Sequence, residues 1–202
     1  MGIIFFLLGA AAALGIFTKK EPNFESTKFS LEEAPSESIR GQITNMSGDI
    51  WWQSRTATEP AKLAEPVAIQ QGEVLIASES GKLTVSFNPA AGISLFPETQ
   101  VEIIQTLALN LVFNQTQGVG QYLVTGLVPV TIRSLNLIVN VEDGLLVVDT
   151  DEETGGIILG LKTGRASVGY NSPDFESRVW QLEPGDVFSY DSNERKGYFN
   201  AP

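Results

Sequence analysis

The sequence predicts an all-β protein, an antiparallel β-sandwich or jelly-roll-like domain that follows an N-terminal apolar helix. Short runs of alternating apolar and polar residues recur from residue 39 onward, and this is the period of a half-buried strand. Turn signals separate the runs, in a chain with 19 glycines and 10 prolines. No strand–helix alternation accompanies them, which argues against a parallel α/β sheet.

The N-terminal segment, residues 3–17, is an uncharged apolar run followed by Lys19 and Lys20. It is short for a membrane-spanning helix, which needs about 20 residues, and its length suits the apolar region of a signal peptide. Three alternatives stay open: a signal or signal-anchor that starts upstream of Met1, a short anchor, and a buried core helix. We assign residues 1–20 to a signal peptide or membrane anchor.

A polar, acidic segment follows, and neither a helical nor a strand period is sustained in it. We interpret residues 21–38 as a linker between the membrane and the folded domain. The β domain is predicted to occupy residues 39–192, and residues 193–202 are left as a C-terminal tail.

Glycine-containing connections between β-prone runs predict hairpins in the first half of the domain. One hairpin joins residues 39–45 to 49–54 through Ser47-Gly48, and a second joins 67–70 to 73–78 through Gln71-Gly72. Further strands are predicted at 82–87, 93–96, 135–141, 145–148, 157–162, 179–182 and 187–190.

Two turns have especially strong signals. Asp143-Gly144 is a strong hairpin signal because both central positions of a type I′ turn need positive φ, and Pro184-Gly185 suits a type II turn. Residues 101–113 are ambiguous between a helix of about three turns and two short strands. We favour strands because β-branched residues open the run and its neighbours are strands.

Charge and composition exclude several function classes. The net charge is −11, from 24 acidic and 13 basic residues, which disfavours nucleic acid and anionic lipid as partners. Cysteine and histidine are both absent, so serine–histidine hydrolysis and histidine- or thiolate-ligated metal chemistry are excluded. Two-carboxylate catalysis and calcium binding remain possible in principle. We predict no cofactor and no enzymatic activity.

The densest acidic cluster, residues 149–153, is the candidate calcium loop. As an EF-hand it fails, because its sixth position is Thr154 and its twelfth is Gly160. We expect a solvated hairpin loop. Gly118-Val119-Gly120 and Gly155-Gly156 lack the Gly-Lys-Ser/Thr of a phosphate loop, so we interpret both as turn glycines.

Trp51 and Trp52 are neighbours in a predicted strand and must point to opposite faces. One is expected in the core, and the other is available for stacking on a sugar or a partner protein. No role is assigned to Tyr122, Tyr170 or Tyr198. The sequence therefore predicts no catalytic, cofactor-binding or metal residue, and it leaves the partner-binding residues unknown.

Residues 67–103 resemble the FecR-type domain. Gly72-Glu73 fits the family's glycine–acid turn, Ser78 takes the place of a usual threonine, and 95–99 (Leu-Phe-Pro-Glu-Thr) fits its proline–threonine element. Gly48 to Trp51 is similar to the family's opening hairpin, 141–147 to its valine-rich hairpin and 182–186 to its closing turn. The family's Gly-Thr-x-Phe element is absent, and 134–137 stands near its expected place.

The resemblance implies a β-sandwich or jelly-roll-like domain outside the cytoplasmic membrane. Family members relay signals to an extracytoplasmic-function sigma factor or belong to envelope proteins. We expect no cytoplasmic domain before the apolar segment, and therefore a membrane-tethered, non-enzymatic module that binds a protein or an envelope polymer, or a secreted one if the segment is cleaved. The alternatives are a sensor or regulator of a sigma-factor pathway and a carboxylate-based glycosidase.

Overall fold

The computed structural model describes residues 38–199, and these residues form strands and turns without a helix. Within this part of the chain no helix has the length and apolarity to cross a membrane. The predicted apolar helix of residues 1–20, and the 21–38 linker up to residue 37, lie outside the described residues.

The described chain has fifteen strands. They are β1 Gly41–Ser47, β2 Ile50–Gln53, β3 Ala61–Lys62, β4 Ala68–Ile69, β5 Val74–Ala77, β6 Lys82–Phe87, β7 Ala91–Leu95, β8 Thr99–Leu107, β9 Asn110–Val124, β10 Val130–Ser134, β11 Leu137–Asp151, β12 Gly156–Asn171, β13 Ser177–Leu182, β14 Val187–Asp191 and β15 Lys196–Phe199. The last strand lies within the segment 193–202 that the sequence left as a tail.

Backbone hydrogen bonds join all the described strands into one large, mixed, mostly antiparallel sheet. The all-β prediction is therefore confirmed. One pair is parallel, β9 with β10, in which Val112 faces Thr131. The ambiguous run 101–113 falls in β8 and β9, which pair antiparallel across a turn at Ala108 and Leu109, so the preference for strands is confirmed.

The apolar side chains on one face of the sheet form one continuous core. In β6, for example, Leu83, Val85 and Phe87 lie on one face, as predicted, and all are buried. A sheet with one apolar face needs a second layer to cover it. Since residues 38–199 contain no helix, the sheet curls and covers its own face.

Both predicted hairpins in the first half are wrong. β1 pairs with β6 and β4, whereas β2 pairs with β5 and β3; β4 and β5 likewise have separate partners. Gly48 has φ 67, and a Cβ atom there would lie 2.0 Å from the carbonyl oxygen of Ser80. Glycine is needed at position 48 for this close approach between two loops. Because β1 and β2, and likewise β4 and β5, have different partners, the connections between them link different parts of the curled sheet.

The Asp143-Gly144 hairpin is also wrong, because β11 runs straight through these residues. Gly144 faces Gly164 in the adjacent strand β12, with φ values of 106 and 85. A Cβ on Gly144 would lie 2.0 Å from the carbonyl oxygen of Thr163, and one on Gly164 would lie 1.9 Å from that of Asp143. The two strands bend together at this glycine pair, and β12 continues past the predicted strand 157–162 to Asn171 for the same reason.

Two bulges flank the bend. β11 carries one extra residue at Glu142, between the pairs Val141–Ala166 and Asp143–Arg165. β12 carries its own extra residue at Lys162, beyond the pair Leu145–Thr163. The two bulges compensate, so the register of the hairpin is the same on both sides of the bend.

Three long strands change neighbours partway along. β9 pairs with β8 and β10 over residues 110–117, and with β7 and β11 over 118–124. β11 changes from β10 to β9, and β12 from β14 to β13, on either side of the glycine pair. These changes let one sheet enclose one core.

A buried polar network fixes the point where β9 changes neighbours. The amide of Gln115 donates to the carbonyl oxygens of Gly118 at 2.6 Å and Val148 at 3.0 Å. Its oxygen accepts a 2.9 Å hydrogen bond from the hydroxyl of Tyr122, whose pKa is raised strongly by complete burial. Buried polar groups are stable only when they are hydrogen-bonded, so these partners must stay in place.

We predict that Gly164→Ala destabilises the fold by at least about 2 kcal/mol, because it combines a positive φ with a steric clash. Gly160→Ala is the matched control in the same strand, since its new Cβ would meet no atom closer than 3.9 Å. Urea denaturation of the full chain in mild detergent, followed by tryptophan fluorescence, measures both. Equal urea midpoints for Gly164→Ala and Gly160→Ala would contradict the proposed role of the bend.

We also expect Gln115→Leu to cost more stability than Tyr122→Phe. The first leaves the buried Tyr122 hydroxyl without its acceptor, at about 1–3 kcal/mol for an unsatisfied group, and also removes the amide's hydrogen bonds to the carbonyl oxygens of Gly118 and Val148. The second removes a single hydrogen bond worth about 1 kcal/mol. The same denaturation experiment compares them. A larger loss for Tyr122→Phe would contradict this order, because both variants keep the buried ring and only Gln115→Leu removes the amide of the network.

Candidate functional site

Exposed apolar side chains are concentrated in the C-terminal strands. Val179 is 68% exposed and Trp180 is 41% exposed, both in β13. Phe175, Tyr198 and Phe199 add to this surface from the turn before β13 and from β15. Aromatic side chains are enriched at protein-interaction sites.

Strand β13 forms an open edge of the sheet. Among the described strands it pairs with β12 alone, through residues 166–171. Five of its six residues are exposed, and Leu182 alone is buried. An edge strand presents unpaired backbone donors and acceptors that are able to pair with another chain.

Two proline-containing turns hold β13 in place. In the first, the Ser172 amide donates to the Glu176 carbonyl oxygen, and the Ser172 hydroxyl accepts from the Glu176 amide. In the second, Gly185 has φ 100 and the Asp186 amide donates to the Glu183 carbonyl oxygen, which confirms the predicted turn at Pro184-Gly185. The edge is therefore well defined at both ends.

One face of β13 borders a shallow groove of about 270 Å³. Gly169 forms its floor, because it lies in β12 between Ile138 of β11 and Val179 of β13. Its other lining residues are Asn136, Asn140, Ser167, Tyr170, Asn171, Ser177 and Arg178. The lining contains no carboxylate, although the chain has a net charge of −11.

The opposite face of β13 rests on an aromatic cluster. Trp180 packs edge-on against Phe199 with ring centroids 5.8 Å apart, and Phe199 packs on the buried Phe188 at 5.4 Å. Tyr170 joins the cluster through Phe188, with ring centroids 6.4 Å apart, and its hydroxyl accepts a hydrogen bond from the Gly197 amide. The edge therefore has a rigid support underneath it.

Two larger grooves lie elsewhere. One, of about 580 Å³, is bordered by Leu109 and Arg165, and the other, of about 380 Å³, by Glu98 and Glu152. The strands that line them have neighbours on both sides. These grooves therefore lack the open backbone that distinguishes the surface at β13.

The acidic cluster 149–153 forms the tip of the β11–β12 hairpin. The Asp151 carboxylate accepts hydrogen bonds from the amides of Glu153 at 3.0 Å and Thr154 at 3.2 Å. The Glu152 amide donates to the side chain of Gln117. No group of three or more metal-ligating side chains occurs among residues 38–199. The carboxylate of Asp151 therefore serves to close the turn.

Asp149 and Asp151 have unequal environments. Burial, and then the negative charge of Asp151, raise the pKa of Asp149. Hydrogen bonds from Thr154, and then from the Glu153 amide, hold the pKa of Asp151 below its usual value. Neither carboxylate lines the three grooves described above. The pair therefore lacks the enclosed setting that two-carboxylate hydrolysis needs.

The tryptophans lie as their spacing predicts. Trp51 is 38% exposed, and Trp52 packs against the core from the opposite face of β2. Tyr122 is fully buried, Tyr170 borders the groove and Tyr198 is exposed. Gly118 has φ 80 and lies against the backbone of Glu98, while Gly155 and Gly156 lie at the β11–β12 turn. Both glycine motifs are structural.

The residues that carry the family resemblance also have structural roles. The Glu73 carboxylate is nearly buried and accepts a 2.8 Å hydrogen bond from the Gln70 amide. The buried Thr99 hydroxyl donates to the Val119 carbonyl oxygen and accepts from the Val119 amide, both at 2.9 Å. These residues close turns, so they identify a fold and do not identify a ligand.

Sequence analysis predicted a strand at 179–182 but did not identify it as a site. The alternation of side chains predicts that a strand exists, whereas its position at an edge depends on partners that are distant in sequence. The available signal was the pair of flanking turns, with Pro173 before the strand and Pro184 after it. Prolines are typical of edge strands because they cannot donate to a ladder.

Comparison with known proteins shows a similar fold at low sequence identity. Two crystal structures of a candidate anti-sigma factor from Parabacteroides distasonis each match this chain with a TM-score of 0.54, at 15% and 14% identity. Each match covers 63% of this chain and 58% of the crystallised one, so the chain spans little more than half the length of those proteins. No family model and no curated protein matches the sequence.

The unequal environments of Asp149 and Asp151 predict that their ionisation has opposite effects on the stability of the fold. A raised carboxyl pKa means that ionisation of Asp149 favours the unfolded chain. The loss of folding stability caused by this ionisation therefore grows as pH rises. A lowered pKa means that Asp151 stabilises the fold above its unfolded pKa, and that this contribution is lost as pH falls. At neutral pH we expect Asp149→Asn to stabilise the fold and Asp151→Asn to destabilise it.

Thermal unfolding at neutral and acidic pH measures both effects, and NMR titration of the two carboxyl groups checks the order of their pKa values. Each mutational difference should shrink at acidic pH, where both carboxyl groups of the parent protein are protonated. A lower pKa for Asp149 than for Asp151 would refute the assignment.

Proposed function

We propose that this chain is a membrane-tethered, extracytoplasmic, FecR-like recognition module that binds a partner and catalyses no reaction. The jelly-roll-like scaffold in this proposal is the single curled sheet, whose halves act as the two layers of a sandwich. Its N-terminal segment, residues 1–20, is the anchor or export signal, and the net charge of −11 disfavours nucleic acid as the partner.

The open apolar edge at β13 is the observation that carries this proposal. Val179 and Trp180 project from opposite faces of a strand that has one neighbour among the described strands. Enzymes concentrate polar groups of perturbed pKa in a cleft, whereas here the exposed apolar groups lie on an edge. Recognition of another protein suits this arrangement best.

A second candidate function is regulation of an extracytoplasmic-function sigma factor. The fold shared with the candidate anti-sigma factor from Parabacteroides distasonis supports it. Overproduction of the chain in its native host should alter transcription of one set of genes with a common promoter if it regulates a sigma factor. Unchanged transcript levels would favour a structural role in the envelope.

Fractionation of cells that produce a C-terminally tagged full chain tests the tethered module. We expect the chain in the membrane fraction, released by detergent and retained in high salt, because an apolar segment is held by the bilayer and not by charge. Protease added outside spheroplasts should digest the tag. Recovery of the chain as a soluble cytosolic protein would overturn the proposal.

A variant lacking residues 3–17 is the matched control, since the rest of the chain is unchanged. It should remain in the cytosol, where the added protease cannot reach it. Equal membrane recovery of the variant and the full chain would show that the apolar segment is not the tether.

A further inference from the structure

We propose that the β13 edge binds an extended segment of another polypeptide that is apolar at its centre and basic at both ends, by adding it to the sheet as a further strand. This inference rests on the proposed function and deepens it, because it names the class of partner and the mode of binding. Main-chain hydrogen bonds supply affinity in such complexes, and pockets for alternate side chains supply specificity.

The other open edges of the described sheet are blunted. β3 and β4 have two residues each, and β15 has four. β1 is longer, but a bulge between Ile43 and Asn45 interrupts its ladder, and both Thr44 and Asn45 are exposed polar residues. Short strands and bulges are devices that prevent edge pairing. β13 has six residues and an unbroken register with β12.

The charges around β13 define the ends of the partner segment. Glu176 and Glu183 flank the strand, with Asp174 and Asp186 beyond them, and all four lie outside the β13 strand itself. The one cation in the strand, Arg178, is already paired with Glu176 at 2.6 Å. Opposite charges stabilise cross-strand pairs, so lysine or arginine at both ends of an added strand fits this edge.

A second copy of the chain is a poor occupant. Antiparallel pairing of two β13 strands over all six residues would set Glu176 of one copy opposite Glu183 of the other, at both ends of the pair. Like charges directly opposite destabilise a strand pair. Two chains of net charge −11 also repel each other. The partner is therefore a different polypeptide.

The groove lies on the β12 side of β13, so a long side chain of the added strand that reaches across β13 would enter it. It opens between Ile138 and Val179 because Gly169 has no side chain. A Cβ on Gly169 would meet its nearest atoms at 3.8 and 3.9 Å, which is ordinary contact. A Cβ at position 169 is therefore tolerated, and Gly169→Val, which places a branched side chain at the floor of the groove, provides a test that is independent of charge.

Two synthetic peptides test the proposal on the isotope-labelled full chain in mild detergent. They share a centre of alternating valine and threonine, and one has lysine at both ends while the other has glutamate. We expect the lysine peptide to bind at least about tenfold more tightly, since two favourable charge pairs replace two unfavourable ones. NMR shift changes and new amide protection should map to residues 177–182.

The charge swap Glu176→Lys with Glu183→Lys should reverse the preference between the peptides. Glu152→Lys with Glu153→Lys is the matched control, because it changes the net charge equally at the β11–β12 turn, and it should leave the preference unchanged. Gly169→Val should weaken binding of both peptides. A lysine peptide with alternate backbone amides methylated should not bind, because it has lost the donors that pair with the strand.

Shift changes located away from β13, or an unchanged preference in the swapped variant, would overturn the inference. Equal binding of the methylated peptide would also overturn it, because it would show attraction by charge alone. The proposed function fails separately, through cytosolic recovery of the full chain, so a membrane-bound chain that ignores both peptides would refute this inference alone.

Discussion

The structure depends on one constraint: a sheet with an apolar face must cover that face by itself, because no helix lies among residues 38–199. Three long strands meet this constraint by bending and changing neighbours near Gly118, Gly144 and Gly164, all with positive φ. Glycine is the residue that allows such a bend where backbones approach closely. The continuous core, the crossing connections and the position of each edge follow from these bends.

The same arrangement explains why the candidate site lies at the C-terminal end. Before the bend, β12 pairs with β14, and after the bend it pairs with β13. β13 then has no further strand beside it among the described residues, yet Trp180 is held from below by Phe199. A supported edge is ordered before a partner arrives, which reduces the entropic cost of binding.

Local patterns predicted the strands better than their partners. Alternation in 82–87 gave the correct inward face, and the strands in 101–113 and the turn at Pro184-Gly185 are confirmed, because these features depend on neighbours in sequence. The hairpins at Ser47-Gly48 and Asp143-Gly144 were wrong, because a glycine with positive φ serves a turn or a close backbone approach equally well. The open edge at β13 could not be predicted, since it depends on which distant strands pair.

The compensated bulges at Glu142 and Lys162 restrict how this protein tolerates insertions and deletions. Removing either residue alone would shift one arm of the β11–β12 hairpin by one position, and such a shift turns every following side chain to the other face. It would also move a residue with a side chain into the place of Gly144 or Gly164. Changes in length between the bend and the hairpin tip must therefore occur in both arms together.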